Sequence, residues 1–224
     1  MTVLEIPAAG STAPPKRRVL SLDAARGFAI VIMLVALHPG PRGGLPYQLT
    51  HAKWHWVTFV DTFFPLFLFA VGAAMPFSSR ASEWKAVIRR VGILVLIGMV
   101  LVAAKHGSFP RGGGGVLQHI AIAYLGARVI LAAPRRWQLP IVAGALAVIS
   151  AIWIVAPSGD PWGRDTSLAH LVDEWIYGGF TVEGTVQSLV SIVNVMGGVV
   201  AGRLVKERTS DHRVVRTALA WAVG

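Results

Sequence analysis

Six stretches of the chain are apolar enough and long enough to cross a bilayer as helices, and segments rich in Pro, Gly and charge separate them. They cover residues 19 to 38, 57 to 76, 87 to 104, 116 to 133, 139 to 156 and 185 to 203. A seventh run begins near Val214 and reaches Gly224 after about 11 residues, short of the roughly 20 that a spanning helix needs. The pattern predicts an all-α fold, a polytopic membrane bundle of six spans with a truncated seventh. Residues 1 to 18 (MTVLEIPAAGSTAPPKRR) are rich in Ala, Pro and small polar residues, which predicts a disordered tail. Residues 19 to 224 form the transmembrane domain, which is expected to stop inside a larger fold.

Composition agrees with the pattern. The 224 residues are 54% hydrophobic and 14% charged, too few charges for an ordinary soluble domain. A formal net charge of +10 would suit nucleic acid if it were gathered on one surface. Here the basic residues are parcelled between apolar runs, so no nucleic-acid partner is expected and the charge sets topology instead. Of the 21 Lys and Arg, 14 fall with the tail and the loops on its side, five fall in the opposite loops (Arg42, Lys53, Lys105, Arg111, Arg164), and Arg26 and Arg128 lie within spans. The N-terminus is therefore expected in the cytosol, with residues 39 to 56, 105 to 115 and 157 to 184 outside. With no eukaryotic-style processing segment in view, the expected location is a bacterial inner (plasma) membrane, with the lipid bilayer as partner and room for a homodimer. The chain has no cysteine, which excludes disulfides, thiol nucleophiles and Cys-ligated zinc.

Ionisable groups at membrane depth are costly and need a partner or a function. Asp23 and Arg26 stand three apart, one helical turn, and are expected to pair; a structural ion pair and a cofactor-facing role both fit. Asp61 has no basic residue three or four positions away, so its partner must be another helix, a substrate or His51. Pro65, four residues on, is expected to kink the second span and free a carbonyl. His51 and His55 are spaced for one helical face, but HAKWH lacks the glutamate of HExxH and carries Lys53, so no metal site is expected. An imidazole, with an ordinary pKa of about 6.5, suits acid or base work or attack on a thioester. A histidine between Trp54 and Trp56 equally suits an interfacial aromatic belt. Gln118 and His119 open the fourth span behind a glycine run and suit a cavity or a neighbouring helix. In the last span Gly184, Ser188, Ser191, Gly197, Gly198 and Gly202 let a helix approach closely, whereas Glu183 and Asn194 exceed what packing needs. The acidic segment Pro157 to Gly184 is long enough to be functional.

Four blocks, in this order, resemble the transmembrane acyltransferases related to heparan-alpha-glucosaminide N-acetyltransferase: SLDAARGFAIVIM, THAKWHWVTFVDTFFPLFLFAVG, GVLQHIAIAYL and VEGTVQSLVSIVNVMGGVVAG. The most specific feature is His-Ala-x-Trp followed by Asp-x-x-Phe-Pro. The resemblance implies transfer of an acetyl group from acetyl-coenzyme A (acetyl-CoA), supplied on the cytosolic side, to an amino sugar or envelope glycan on the far side. It implies His51 as the catalytic histidine, as base or acyl carrier, with Asp61 orienting it. Asp23, Arg26, His38, Trp54, Gln118, His119, Glu183 and Asn194 are then candidates for binding donor or acceptor. His38 stands where the family tends to place Asn, His119 where Arg is usual, and Val182 where Pro is usual. On this reading Asp61→Asn costs less than His51→Ala. The alternative is a non-catalytic transporter or flippase for an envelope glycolipid or anion, with Asp23, Arg26 and Asp61 as a relay; a bare helical scaffold is the blandest reading.

Overall fold

The structure, a computed structural model, describes residues 20–37, 44–106, 115–155, 159–177 and 184–208. The tail, His38, the glycine run before Gly115, Glu183 and the run from Val214 lie outside the described residues.

All regular structure among the described residues is helical, and each of the six apolar runs falls on a helix. The α-helices among the described residues are α1 (Leu20–Leu37), α2 (Phe63–Ala74), α3 (Trp84–His106), α4 (Val116–Ile130), α5 (Arg135–Val155), α6 (Leu168–Tyr177), α7 (Thr185–Val190) and α8 (Ile192–Arg208), with α6 outside the six runs and α7 and α8 sharing the last. Four segments are long and apolar enough to cross a bilayer: Val60–Phe77, Trp84–Ala104, Arg135–Val155 and Thr185–Glu207. They make this an integral, multi-pass membrane protein. Against the six expected spans, α4 is apolar but shorter, at 15 residues. Helix α1 is 18 residues long with Asp23 in its first turn.

Helix α2 is the axis of the bundle, packed against α1, α4 and α8. Some 44% of its span is buried, against 11% for the spans of α3 and α5, whose apolar sides are left for lipid. The core joins Leu68, Val71, Val87, Tyr124, Met196 and Val199. Helices α2 and α8 approach at backbone distance. A Cβ at Gly198 would land on the carbonyl oxygen of Phe69, and one at Gly202 on that of Ala73. The small residues of the last span therefore do the packing work that the sequence predicts.

Two local expectations change. Pro65 falls in the first turn of α2, after a 3-10 turn at Val60–Thr62. A missing N–H costs nothing in a first turn, so this proline starts the helix and does not kink it. The segment from 157 to 184 also contains a helix, α6, which buries Ala169 and Asp173. Asp173 Oδ1 accepts from Thr185 N at 3.1 Å, so this buried acid closes the start of α7.

Candidate functional site

Residues 50 to 59 run as bends and turns onto the start of α2, and they bring two side chains ten residues apart into contact. His51 Nδ1 stands 2.7 Å from Asp61 Oδ1. The other carboxylate oxygen, Oδ2, accepts from Thr58 N at 3.0 Å and Ala52 N at 3.2 Å, and lies 2.8 Å from Thr58 Oγ1. The Thr58 hydroxyl is also 2.7 Å from Thr50 O, and its one proton serves one of these acceptors at a time. Thr58 is only 1% exposed, so this scaffold is shielded while His51 is open, its side chain 61% exposed.

This arrangement sets the tautomer. Oδ2 is engaged by two backbone N–H donors, so the carboxylate is fixed in rotation and presents Oδ1 to the imidazole as an acceptor. Nδ1 then carries the proton and donates it, leaving the lone pair on Nε2 for chemistry. Trp56, with φ 77°, occupies the left-handed region that a bulky residue seldom adopts, and this turn brings Thr58 back beneath Ala52. Because 51 to 56 is not helical, His51 and His55 do not share a helix face and the i, i+4 metal platform is not formed.

Trp54 ties this loop to the segment that follows α5. Its Nε1 donates to Trp162 O at 2.8 Å. That segment is braced in turn, by Trp153 Nε1 donating to Pro161 O at 2.9 Å and Trp162 N to Asp160 Oδ1 at 3.0 Å. The long acidic connection is thus joined to the His51 loop, and Trp54 acts at the joint.

His119, on α4, packs beside Phe64, about one helical turn beyond Asp61. Its ring meets Phe64 edge to face at 4.7 Å, and its Nε2 is 2.7 Å from Ser191 Oγ at the break between α7 and α8. It is buried, and its Nδ1 has no partner. Gln118 points to another side of α4, towards α3, where the absence of a Cβ at Gly98 makes room for it. Both of its amide atoms are buried without a partner. Asn194 is half-buried on α8.

Asp23 and Arg26 are elsewhere. They pair as their spacing predicts, Nη1 to Oδ1 at 3.5 Å, while Arg26 Nη2 donates to Ala70 O at 2.8 Å and reaches Val71 O at 3.5 Å. Met75 N bonds Gly72 O as α2 tightens into a 3-10 turn, which releases the Val71 carbonyl. The guanidinium therefore closes the C-terminal end of α2, where a cation also complements the helix dipole. That is nine or ten residues from Asp61, roughly 14 Å along a helix. The predicted residues thus divide between the two ends of α2, with His119 nearer the His51–Asp61 pair.

Thr58 is not among the residues singled out from the sequence, although its signal is present there. Thr58-x-x-Asp61 before an apolar run is the capping-box pattern, and the acid does reach back to the Thr58 N–H. Ser191, read as a packing residue, is in addition the partner of His119.

A family model described as "Heparan-alpha-glucosaminide N-acetyltransferase, catalytic" matches residues 18–171, more than half of the chain and including both members of the His51–Asp61 pair. The human protein heparan-alpha-glucosaminide N-acetyltransferase is 27% identical over 128 residues, which is 51% of this chain and 19% of the human protein. The match therefore spans about a fifth of that relative's length.

Proposed function

The chain belongs to the heparan-alpha-glucosaminide N-acetyltransferase catalytic family, and from that premise we propose that it is a membrane acyltransferase carrying an acetyl group from acetyl-CoA to an amino sugar or envelope glycan on the non-cytosolic side. The single observation that carries the reading is His51 itself: Nδ1 held by Asp61 at 2.7 Å, Nε2 open at the surface. A base of this kind supports transfer to an amine, and the aromatic residues around it, Trp54 and Trp56, suit the face of a sugar ring.

In direct transfer Nε2 takes a proton from the acceptor amine as its nitrogen bonds to the thioester carbonyl carbon. The C–S bond breaks, and Nε2–H returns the proton to the departing sulfur. The products are the N-acetylated acceptor and free coenzyme A. Asp61 stabilises the transient imidazolium and holds its orientation. In the two-step route Nε2 attacks the carbonyl carbon and the C–S bond breaks, giving an acetyl-imidazolium and coenzyme A thiolate, which takes a proton from water; the amine then displaces imidazole and releases one proton to water. Only the second route gives ping-pong kinetics.

The interior suits such a donor. Gln118 offers an amide donor and an amide acceptor, both buried and unpartnered, and His119 Nδ1 is likewise orphaned. Buried polar atoms of this kind call for a polar ligand, and the two amide groups of a pantetheine arm supply complementary atoms.

The test is release of free coenzyme A by the purified chain in liposomes, with glucosamine as acceptor. Release that depends on acceptor supports the enzyme. Binding and movement of an amino sugar without coenzyme A release overturns it in favour of a transporter.

A further inference from the structure

The loop that carries His51 leaves much apolar surface outside the protein. Trp56 is 87% exposed and Val57 70%, and Tyr47 and Phe59 are exposed beside them. Trp56 stands there at φ 77°, so the backbone accepts strain to hold its largest apolar side chain outward. Apolar area gathered in this way marks a contact surface, and the neighbouring helices identify the contact. The ring of Phe59 meets that of Phe63 edge to face at 4.9 Å, and Phe63 meets Phe28 of α1 in the same manner at 5.7 Å. Phe28 and Val31 are exposed on α1 and Leu66 on α2. The lipid-facing surface of the bundle thus continues through Phe59 into the loop. Because the loop directly precedes the span Val60–Phe77, it sits at the level of the headgroups, where Trp and Tyr rings gather.

Charge on this loop is of one sign. Residues 44 to 60 contain no Asp or Glu. Lys53 is exposed and forms no ion pair among the described residues, and His55 is exposed two positions on. Asp61, the next acid along the chain, is engaged by His51 and two backbone N–H groups. Asp160, in the segment that Trp54 touches, accepts from Trp162 N. The open Nε2 of His51 therefore shares its loop with an apolar side continuous with lipid and with a lysine ready to meet an anion.

We propose that the His51 loop receives an amino sugar borne on a phosphate-containing lipid, presented from the plane of the membrane. The sugar amine reaches Nε2, the phosphate meets Lys53, and the acyl chains lie along Phe59 and the exposed residues of α1 and α2. This names the acceptor class and rests on the acyl-transfer reading for its chemistry, while the binding stands by itself.

Native mass spectrometry of the purified full chain without donor tests the binding, with glucosaminyl phosphatidylglycerol as probe. Phosphatidylglycerol, which lacks the sugar, and dodecyl glucosaminide, which lacks the phosphate, are the controls. The variants are Lys53→Gln, Lys53→Arg and the double change Val57→Ser/Phe59→Ser, each checked by melting temperature, with Val57→Ser alone taking the place of the double change if that one unfolds. Retention of the probe over both controls, cut at least fivefold by Lys53→Gln and by the apolar change and kept by Lys53→Arg, establishes the site. Equal retention of either control, or retention that the folded variants leave as it was, overturns it. Coenzyme A release in phosphatidylcholine liposomes then compares the probe with free glucosamine. A kcat/KM at least tenfold higher for the probe, with that ratio reduced in the apolar variant, assigns the preference to the loop and not to enrichment of the probe in the bilayer; an equal or unreduced ratio overturns the assignment of a lipid-borne acceptor. Silence with every acceptor removes the acyl-transfer reading, and the donor-free binding alone then decides this proposal.

Discussion

His51 Nδ1 and Asp61 Oδ1 are 2.7 Å apart, and the second oxygen of the same carboxylate is held by the N–H groups of Ala52 and Thr58. One carboxylate thus closes the loop that carries the histidine and chooses which imidazole nitrogen bears the proton. The predictions below begin from that dual role.

Asp61→Asn is expected to be nearly as damaging as loss of the histidine. Two backbone donors converge on the Oδ2 position, so the amide oxygen of the new side chain must sit there and its NH₂ must face His51 Nδ1. That reverses the tautomer and places the proton on Nε2, removing the base. The acetyl-transfer rate should fall by about 10²- to 10⁴-fold with little change in KM. The sequence alone suggests a milder effect; a fall of less than about tenfold would favour that view.

Thr58→Val keeps the backbone N–H on Asp61 but removes the buried hydroxyl, leaving Thr50 O or Asp61 Oδ2 short of a donor. The expected cost is about 1 kcal/mol in stability with a modest loss of rate, and Thr58→Ser should restore both. Thermal unfolding in detergent beside the rate assay measures the two effects.

Arg26→Gln removes the charged donor that closes the end of α2 on Ala70 O. A loss of about 1.5–3 kcal/mol is expected, as for hydrogen bonds to charged groups. If Arg26 serves only this end of the helix, the residual folded protein keeps the KM of the wild type for both substrates; a raised donor KM would return Arg26 to the binding site.

Gly198→Val should separate α2 from α8, because what the new Cβ would strike is the Phe69 carbonyl and the Ala73 backbone nitrogen, which cannot swing aside. A destabilisation of about 1–3 kcal/mol or more is expected, typical of overpacking. Gly197→Ala, where the nearest atoms are ring carbons of Phe69 at 3.8 Å, should be nearly neutral. Melting temperatures of the pair check the contrast.

How much of this was legible beforehand differs by scale. Apolar runs reveal helices because burying a backbone in lipid leaves little alternative, and each predicted run lies on a helix. The pairing of Asp23 with Arg26 followed from helical spacing. The contact between His51 and Asp61 did not, since a ten-residue separation through a turn has no period to read. Spacing leaves it open among several partners and the family resemblance alone points to it; the turn at Trp56 shows how the chain makes it. Helix α6 was hidden in a segment read by its acidity and length. Its buried Asp173 accepts from the N–H that starts α7, a tertiary contact no local pattern encodes. For Arg26 the spacing fits both a structural ion pair and a cofactor-facing role; beside Asp23, its partners are carbonyls forty-four and forty-five residues away, at the end of α2 where the helix changes its winding.

The most direct test of the account is acetyl transfer from acetyl-CoA to glucosamine by His51→Ala beside the wild-type chain, both reconstituted in liposomes and shown to be folded by equal melting temperatures. The account predicts loss of acceptor-dependent coenzyme A release by about 10²-fold or more, with acetyl-CoA still bound. Turnover retained by the folded variant would contradict it and remove His51 from the chemistry.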